Sequence, residues 1–268
     1  MMPMVTRVVT EPAAVPIGTE VFPGYRVEAL LARGGRVDTY DVTDLDRDCR
    51  AVVKVLRADR LDEPHVRDAV LTEGRLLTTL AHPHLVRGYA VLTGPTPALV
   101  METLPGATLA ALLDDGPLGV ADTALLGRQL VSVLGYLHRH GWVHLDVKPE
   151  NVVVQEGRAV LIDLGVATRP GPLERSVGTD GYAAPEQHAG GIVSAASDVW
   201  GLGATLAECG RGRARATLSP LLAGCLDPDP AQRPTLDALR CEFEAMLEEP
   251  EPTWQARLRR WRQQPARR

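Results

Sequence analysis

The stretch "VHLDVKPENVVV", Val143 to Val154, decides how the rest of the chain is read. It contains Lys148, and all but two of the 29 basic side chains in the 268 residues are arginine. The other lysine, Lys54, lies in "AVVKVL" (51–56). Arginine presents a broad planar fork, lysine a compact ammonium on a thin stem. A narrow slot beside a phosphate accepts the ammonium and crowds out the fork. Two lysines retained among so many arginines therefore point to two tight anion-handling positions. The competing reading is a pair of ordinary surface lysines, and the neighbours decide between the two.

Around these anchors the signals are those of a globular chain. Hydrophobic residues make up 45% and charged residues 24%. No apolar run is long enough to span a membrane, and the N-terminus lacks a signal-peptide core. A net charge of −5 argues against a general nucleic-acid binder. Cys49, Cys209, Cys225 and Cys241 are scattered without a CxxC, which favours a reducing cytoplasm over a disulfide framework or zinc site.

Residues 1–23 hold four prolines and no periodicity, and read as an extended or disordered arm. From Tyr25 the pattern turns strand-like: "YRVEALLA", a Gly-Gly pair, "TYDVTDLD" and "AVVKVLR". Residues 64–80 and 121–140 space their apolar residues as helices. "ALVMETL" (98–104) is a short buried strand, and short strands recur at "NVVV" and "AVLIDL". From about Ser197 to Glu249 the pattern is mainly helical. The expected fold is α+β with two lobes: a small β-rich lobe at about 24–101, a joint at 102–106, and a larger helical lobe at 107–249. Residues 250–268 form a basic tail. Its Trp254, Leu258 and Trp261 fall on one helical face, suited to docking on its own lobe or on a partner.

Taken together, the pieces resemble the protein-kinase family, most closely bacterial Ser/Thr kinases, over residues 25–248. "AVVK" is similar to the strand that carries the nucleotide lysine, "HLDVKPEN" to the catalytic loop and "DLG" (163–165) to the metal-binding DFG. "GTDGYAAPE" (178–186) resembles the end of an activation segment, and "DVWGLG" and "DPAQRPT" the later helical motifs. Each is weak alone; the ordered set is specific.

The resemblance implies ATP with magnesium, manganese being an alternative ion, and a protein or peptide substrate. Lys54 would hold the α- and β-phosphates, oriented by Glu73 rather than by Glu63 or Asp68. Asp146 would orient the substrate hydroxyl and take its proton, with Lys148 between it and the γ-phosphate. Asn151 and Asp163 would hold the metal through hard oxygen ligands. Thr179 would bond Asp146 and Lys148. Leu31, Gly34, Gly35 and Thr39 occupy the glycine-loop region, Val52, Met101 and Val153 the adenine pocket, and Glu102 and Leu104 the hinge.

Three departures stand out. The pattern G-x-G-x-x-G-x-V falls on Ala32, Gly34, Val37 and Thr39, so one glycine survives, with Gly35 after it. H-R-D reads His144-Leu145-Asp146; the absent arginine is the one that pairs with a phosphorylated activation segment, so activity independent of that phosphorylation is expected. Only thirty-five positions separate Asp198 from Arg233, which leaves little room for a full substrate-docking helix. These departures keep a rival reading in view, a pseudokinase or nucleotide-binding scaffold of the same fold. A further rival is a kinase acting on a small molecule or a biosynthetic peptide.

Overall fold

A computed structural model describes residues 12–188, 190–210 and 213–247, with 213–215 as backbone only. The basic tail read over 250–268 lies outside the described residues, as do residues 1–11 of the expected arm. The chain divides into two compact units, the first built from residues up to Thr79 together with Arg87–Thr103.

Among the described residues the first unit is a six-stranded antiparallel sheet with one α-helix and a single 3-10 turn at Ala58–Arg60. Its strands are β1 (Glu20–Phe22), β2 (Tyr25–Arg33), β3 (Val37–Asp44), β4 (Cys49–Leu56), β5 (Gly88–Leu92) and β6 (Ala98–Glu102), in the order β1-β2-β3-β4-β6-β5. β3 alternates strictly in burial, as a half-buried strand must. One sheet face carries Val27, Tyr40, Val42, Val53, Val55 and Val100 in a closed apolar cluster. Val15, Val21 and Phe22 pack onto that cluster. The arm expected over 1–23 is thereby corrected at its end: Glu20–Phe22 pair with β2, because their apolar side chains have a sheet face to cover. Helix α1 (Pro64–Thr79) buries Val66, Val70, Glu73, Gly74 and Leu77, a helical stripe. Gly74 is the point of closest approach: a Cβ there would stand 2.7 Å from a methyl of Val91 on β5.

The second unit takes Leu80–Val86 and everything from Leu104 onward. The first lobe is therefore not the continuous 24–101 that the sequence suggested. The excursion has a backbone cause: Val86 N–H donates to Leu161 O, Leu161 N–H to His84 O, and His84 Nδ1 lies 2.8 Å from Ala159 O. This unit begins with β7 (Ala107–Thr108), α2 (Leu109–Asp114, capped by Thr108) and α3 (Val120–Arg139). β8 (Val152–Gln155) and β9 (Arg158–Leu161) form a hairpin beside β7, in the order β7-β8-β9. β10 (Gly171–Pro172) pairs with β11 (Ile192–Val193), with the short α4 (Pro185–His188) between them in the chain. Then come α5 (Ala195–Cys209), α6 (Arg213–Cys225) and α7 (Leu236–Leu247).

α3 is the central post. Leu126, Leu130, Leu134 and Leu137 are fully buried along it, and α7 lies close enough that a Cβ at Gly127 would strike the Phe243 ring at 2.5 Å. α5 starts with a capping box, Ser194 with Ser197, satisfying backbone donors that the first turn leaves open. Three residues separate Cys209 from Arg213, so α5 runs almost directly into α6, and no additional helix fits between them. Gly203 permits the close contact with Cys225 of α6. No described helix is long and apolar enough to cross a membrane.

Candidate functional site

In the first unit the chemistry gathers on the sheet face opposite the apolar cluster. β4 pairs Lys54 with Thr39 of β3 and with Leu99 of β6, and pairs Val52 with Met101. Directly paired residues point to the same side, so Thr39, Val52, Lys54 and Met101 share one face. Lys54 is 8% exposed and Glu73 2%. Lys54 Nζ donates to Glu73 Oε1 at 2.7 Å. Glu73 is the acid that reaches the lysine, while Glu63 pairs with Arg60 at 2.7 Å. A buried ion pair is a poor source of stability, since desolvation offsets the attraction. Its retention suits a site that needs a lysine held in one place.

The turn from β2 to β3 carries the surviving glycines. Gly34 N–H donates to Val37 O at 2.9 Å, and a Cβ on Gly34 would stand 2.9 Å from that same oxygen. Arg57 Nη1 donates to Gly34 O, and Arg57 N–H to Arg36 O, both at 3.0 Å. Gly35 faces open space, and Leu31 is exposed. At the other end of the sheet, Glu102 N–H donates to Arg87 O, and its Oε1 accepts from Arg87 N–H.

In the second unit the loop after α3 is shaped from below by Asp198, near the start of α5. Its fully buried carboxylate accepts from the backbone N–H groups of His144 and Leu145 and pairs with His138 Nε2 at 2.7 Å. Thr205 Oγ1 donates to Val147 O. Leu145 adopts φ +66, a conformation a branched side chain enters only under constraint. His144 Nδ1 accepts from Asp146 N–H, and burial pushes its pKa down, so the ring stays neutral with its proton on Nε2.

The loop closes on Asp146. Its Oδ1 accepts from Thr179 Oγ1 at 2.7 Å. Its Oδ2 lies 2.8 Å from Lys148 Nζ and 3.0 Å from Asn151 Nδ2. Lys148 Nζ also donates to Thr179 Oγ1 at 2.5 Å. Three donors thus fix one carboxylate. Asn151 gives both amide hydrogens to Asp146, to the side chain and to the carbonyl, which turns its Oδ1 the opposite way. The twelve-position step from Asn151 to Asp163 is spanned by the β8–β9 hairpin. Val152 pairs with Leu161, and Ile162 N–H donates to Asn151 O, so the two metal candidates end side by side. Asp163 Oδ1 accepts from Gly165 N–H at 2.7 Å. An oxygen from each is the donor set a hard divalent cation takes alongside phosphate oxygens. Val153 is 8% exposed on β8, and Leu104 opens this unit after its joint with the first.

Sequence reasoning missed two residues. Gln187 is 1% exposed; it donates to Leu145 O and Val177 O and accepts from Ala184 N–H, joining the loop after α3 to the segment before α4. His138 supports Asp198 from α3. Neither carries a sequence signal of its own, since a polar residue near a helix end reads as solvent-facing. Glu186 and Arg233 form a two-pronged pair at 2.7 and 2.9 Å. Burial alone would raise Glu186, but the Arg233 fork and the Ser197 hydroxyl outweigh it and hold the carboxyl below its ordinary pKa.

Comparison with known proteins gives the family. The model of the protein kinase domain matches residues 25–217. The serine/threonine-protein kinase PknB of Mycolicibacterium smegmatis is 33% identical over 69% of this chain and 32% of its own length. PknD of Mycobacterium tuberculosis is 32% identical over 81% of this chain and 34% of its own, and PknE of Mycobacterium bovis 32% over 72% and 35%. The chain thus spans about a third of the length of these relatives. With a sheet-borne Lys54–Glu73 pair in one unit, an Asp146-centred loop in the other and a kinase model over most of its length, this chain belongs to the protein kinase family, on its bacterial, eukaryotic-like Ser/Thr branch.

Proposed function

We propose that the chain is an active ATP-dependent kinase that transfers the γ-phosphoryl group to a Ser or Thr hydroxyl of a protein or peptide. The observation that carries this reading is the closed set of contacts among Asp146, Lys148, Asn151 and Thr179. In the reaction the bond between the γ-phosphorus and the β-bridging oxygen breaks, and a bond to the substrate oxygen forms. The hydroxyl proton passes to the Asp146 carboxylate. Lys148 neutralises charge beside the transferring group, and its thin stem lets it share Asp146 with Thr179 and Asn151. Lys54, steadied by Glu73, holds the α- and β-phosphates. Asn151 and Asp163 hold magnesium, which when bound screens the phosphate oxygens. Thr39, Val52, Met101 and Val153, with Leu31 and backbone groups of Gly34, Gly35, Glu102 and Leu104, receive the nucleotide.

One observation favours a scaffold as the second reading. The glycine turn is tied by Arg57 at two carbonyls, where a phosphate-covering loop needs freedom to close. Two variants separate the readings. Asp146→Asn keeps the shape and removes the base, so transfer should fall by about 10²–10⁴-fold with ATP affinity retained. Lys54→Met should lose both. An Asp146→Asn protein that transfers phosphate as fast as the unaltered chain overturns the assignment of Asp146.

A further inference from the structure

Two backbone stretches must meet for Thr179 to reach Asp146, and one side chain outside both holds them together. Gln187, buried in the short α4, donates from Nε2 to Leu145 O at 2.8 Å and to Val177 O at 3.1 Å. Its Oε1 accepts from Ala184 N–H at 3.0 Å. A side-chain amide carries two N–H donors, and here both are used. The bond from Ala184 fixes which end of the amide faces the two carbonyls. Leu145 immediately precedes Asp146, and Val177 lies two residues before Thr179. The peptide from Leu145 to Asp146 is gripped at both ends, its oxygen by Gln187 and its N–H by His144 Nδ1. Gly178, at φ +96, leaves the room for this. A Cβ there would stand 2.7 Å from Gln187 Nε2 and 2.9 Å from Leu145 O.

We propose that Gln187 is a positioning residue for phosphoryl transfer, an inference that rests on the kinase reading: its amide sets Thr179 against Asp146 and so fixes the aim of that carboxylate. Thr179 Oγ1 donates to Asp146 Oδ1 at 2.7 Å, while Lys148 and Asn151 meet Oδ2. If Val177 drifts from Leu145, Thr179 withdraws and Oδ1 loses its donor. The carboxylate is then free to turn about the two contacts that remain. A misplacement of about 1 Å at a reacting group costs about 10²-fold in rate. Gln187 bonds Leu145, Val177 and Ala184 and none of the residues assigned to the nucleotide. Its loss therefore falls on kcat and spares ATP affinity. The bland reading is an amide that only satisfies two buried carbonyls, and it predicts a general loss of stability instead.

The test is Gln187→Met, which keeps the length and removes the amide, made in the whole chain and again in a Thr179→Ala chain. With labelled ATP, magnesium and a generic basic protein as acceptor, kcat should fall about 10²-fold while KM for ATP changes by less than ~2-fold. In the Thr179→Ala chain the same substitution should cost less than ~3-fold, because the contact that Gln187 serves is already gone. Amide exchange supplies a readout without catalysis. The N–H groups of Tyr182 and Ala183 both donate to Thr179 O, so their exchange should quicken while exchange along α3 stays as it was. An unchanged kcat overturns the proposal, as does an equal loss with and without Thr179. Exchange that quickens along α3 as well assigns Gln187 to general packing and overturns it too. If Gln187→Met does not fold, the isosteric Gln187→Glu, which replaces the two N–H donors by a carboxyl oxygen, is read by the same criteria. If the unaltered chain transfers no phosphate, the kinase reading fails on its own, and exchange still decides whether Gln187 holds Thr179. Unchanged exchange at Tyr182 and Ala183 then overturns the positioning.

Discussion

Lys148 holds Asp146 at 2.8 Å and Thr179 at 2.5 Å in a space that Asn151 also enters. A guanidinium cannot make both contacts there without displacing a neighbour. Lys148→Arg is therefore expected to cut phosphate transfer by about 10²-fold or more, the cost of losing one aimed charge, measured as kcat at saturating ATP. Thr179 both accepts from Lys148 and donates to Asp146, so Thr179→Ser should retain most activity and Thr179→Ala should not. Equal loss in both would assign Thr179 to packing through its methyl. Much at this scale was legible in the sequence. Lys54 and Lys148 stood out by type, as rare lysines in an apolar strand and a tight loop, while Glu73, Asp146 and Asn151 were picked out through the family resemblance of the motifs around them. Gln187 and His138 were not, because their work is done by contacts 42 and 60 positions away in the chain.

Among the elements, the segment from Asp163 to Glu186 has the most to explain. Leu145 stands where an arginine would meet a phosphate, and it is 3% exposed. With Val143 and Val193 it forms an apolar cluster onto which Val166, Leu173 and Val177 pack. The Gln187 amide ties Leu145 O to Val177 O across the same junction. This packing supports the expectation that the segment stays in place without an added phosphate. Phosphatase treatment is expected to leave the transfer rate within about 2-fold, whereas an intact phosphate–arginine switch commonly shifts such equilibria by 5- to 150-fold. Leu145→Ala should cost about 2–5 kcal/mol by leaving a cavity, read as a lowered midpoint in urea. Element identity was readable from periodicity for α1, α3 and the strands. The Leu80–Val86 excursion was not, because its membership of the second unit is set by β9, which lies far along the chain. β1 was hidden for a related reason: Glu20–Phe22 is too short to show alternation, and its strand state depends on β2.

At the scale of the whole molecule, the histidines set the response to acid. His82, His84 and His144 all titrate below 6.5, each first because burial disfavours the charged ring. The unfolded chain therefore takes up protons before the folded one does. Their contribution is fully present above about pH 6.5 and is lost as pH falls below it. Glu186, held low by Arg233 and Ser197 against its own burial, contributes above the ordinary carboxylate pKa and loses that only in stronger acid. The thermal midpoint is expected to fall between pH 7.5 and 5.5. A flat profile over that range would contradict the neutral, buried His144 beneath the catalytic loop. Among the described residues three positions separate α5 from α6. Activity itself is tested most directly by incubating the phosphatase-treated chain with labelled ATP and magnesium, beside Asp146→Asn, with a generic basic protein as acceptor. Label on the chain or the acceptor with the unaltered protein alone is the expected result. ATP bound by both proteins and transferred by neither would contradict the kinase assignment and leave a nucleotide-binding scaffold in its place.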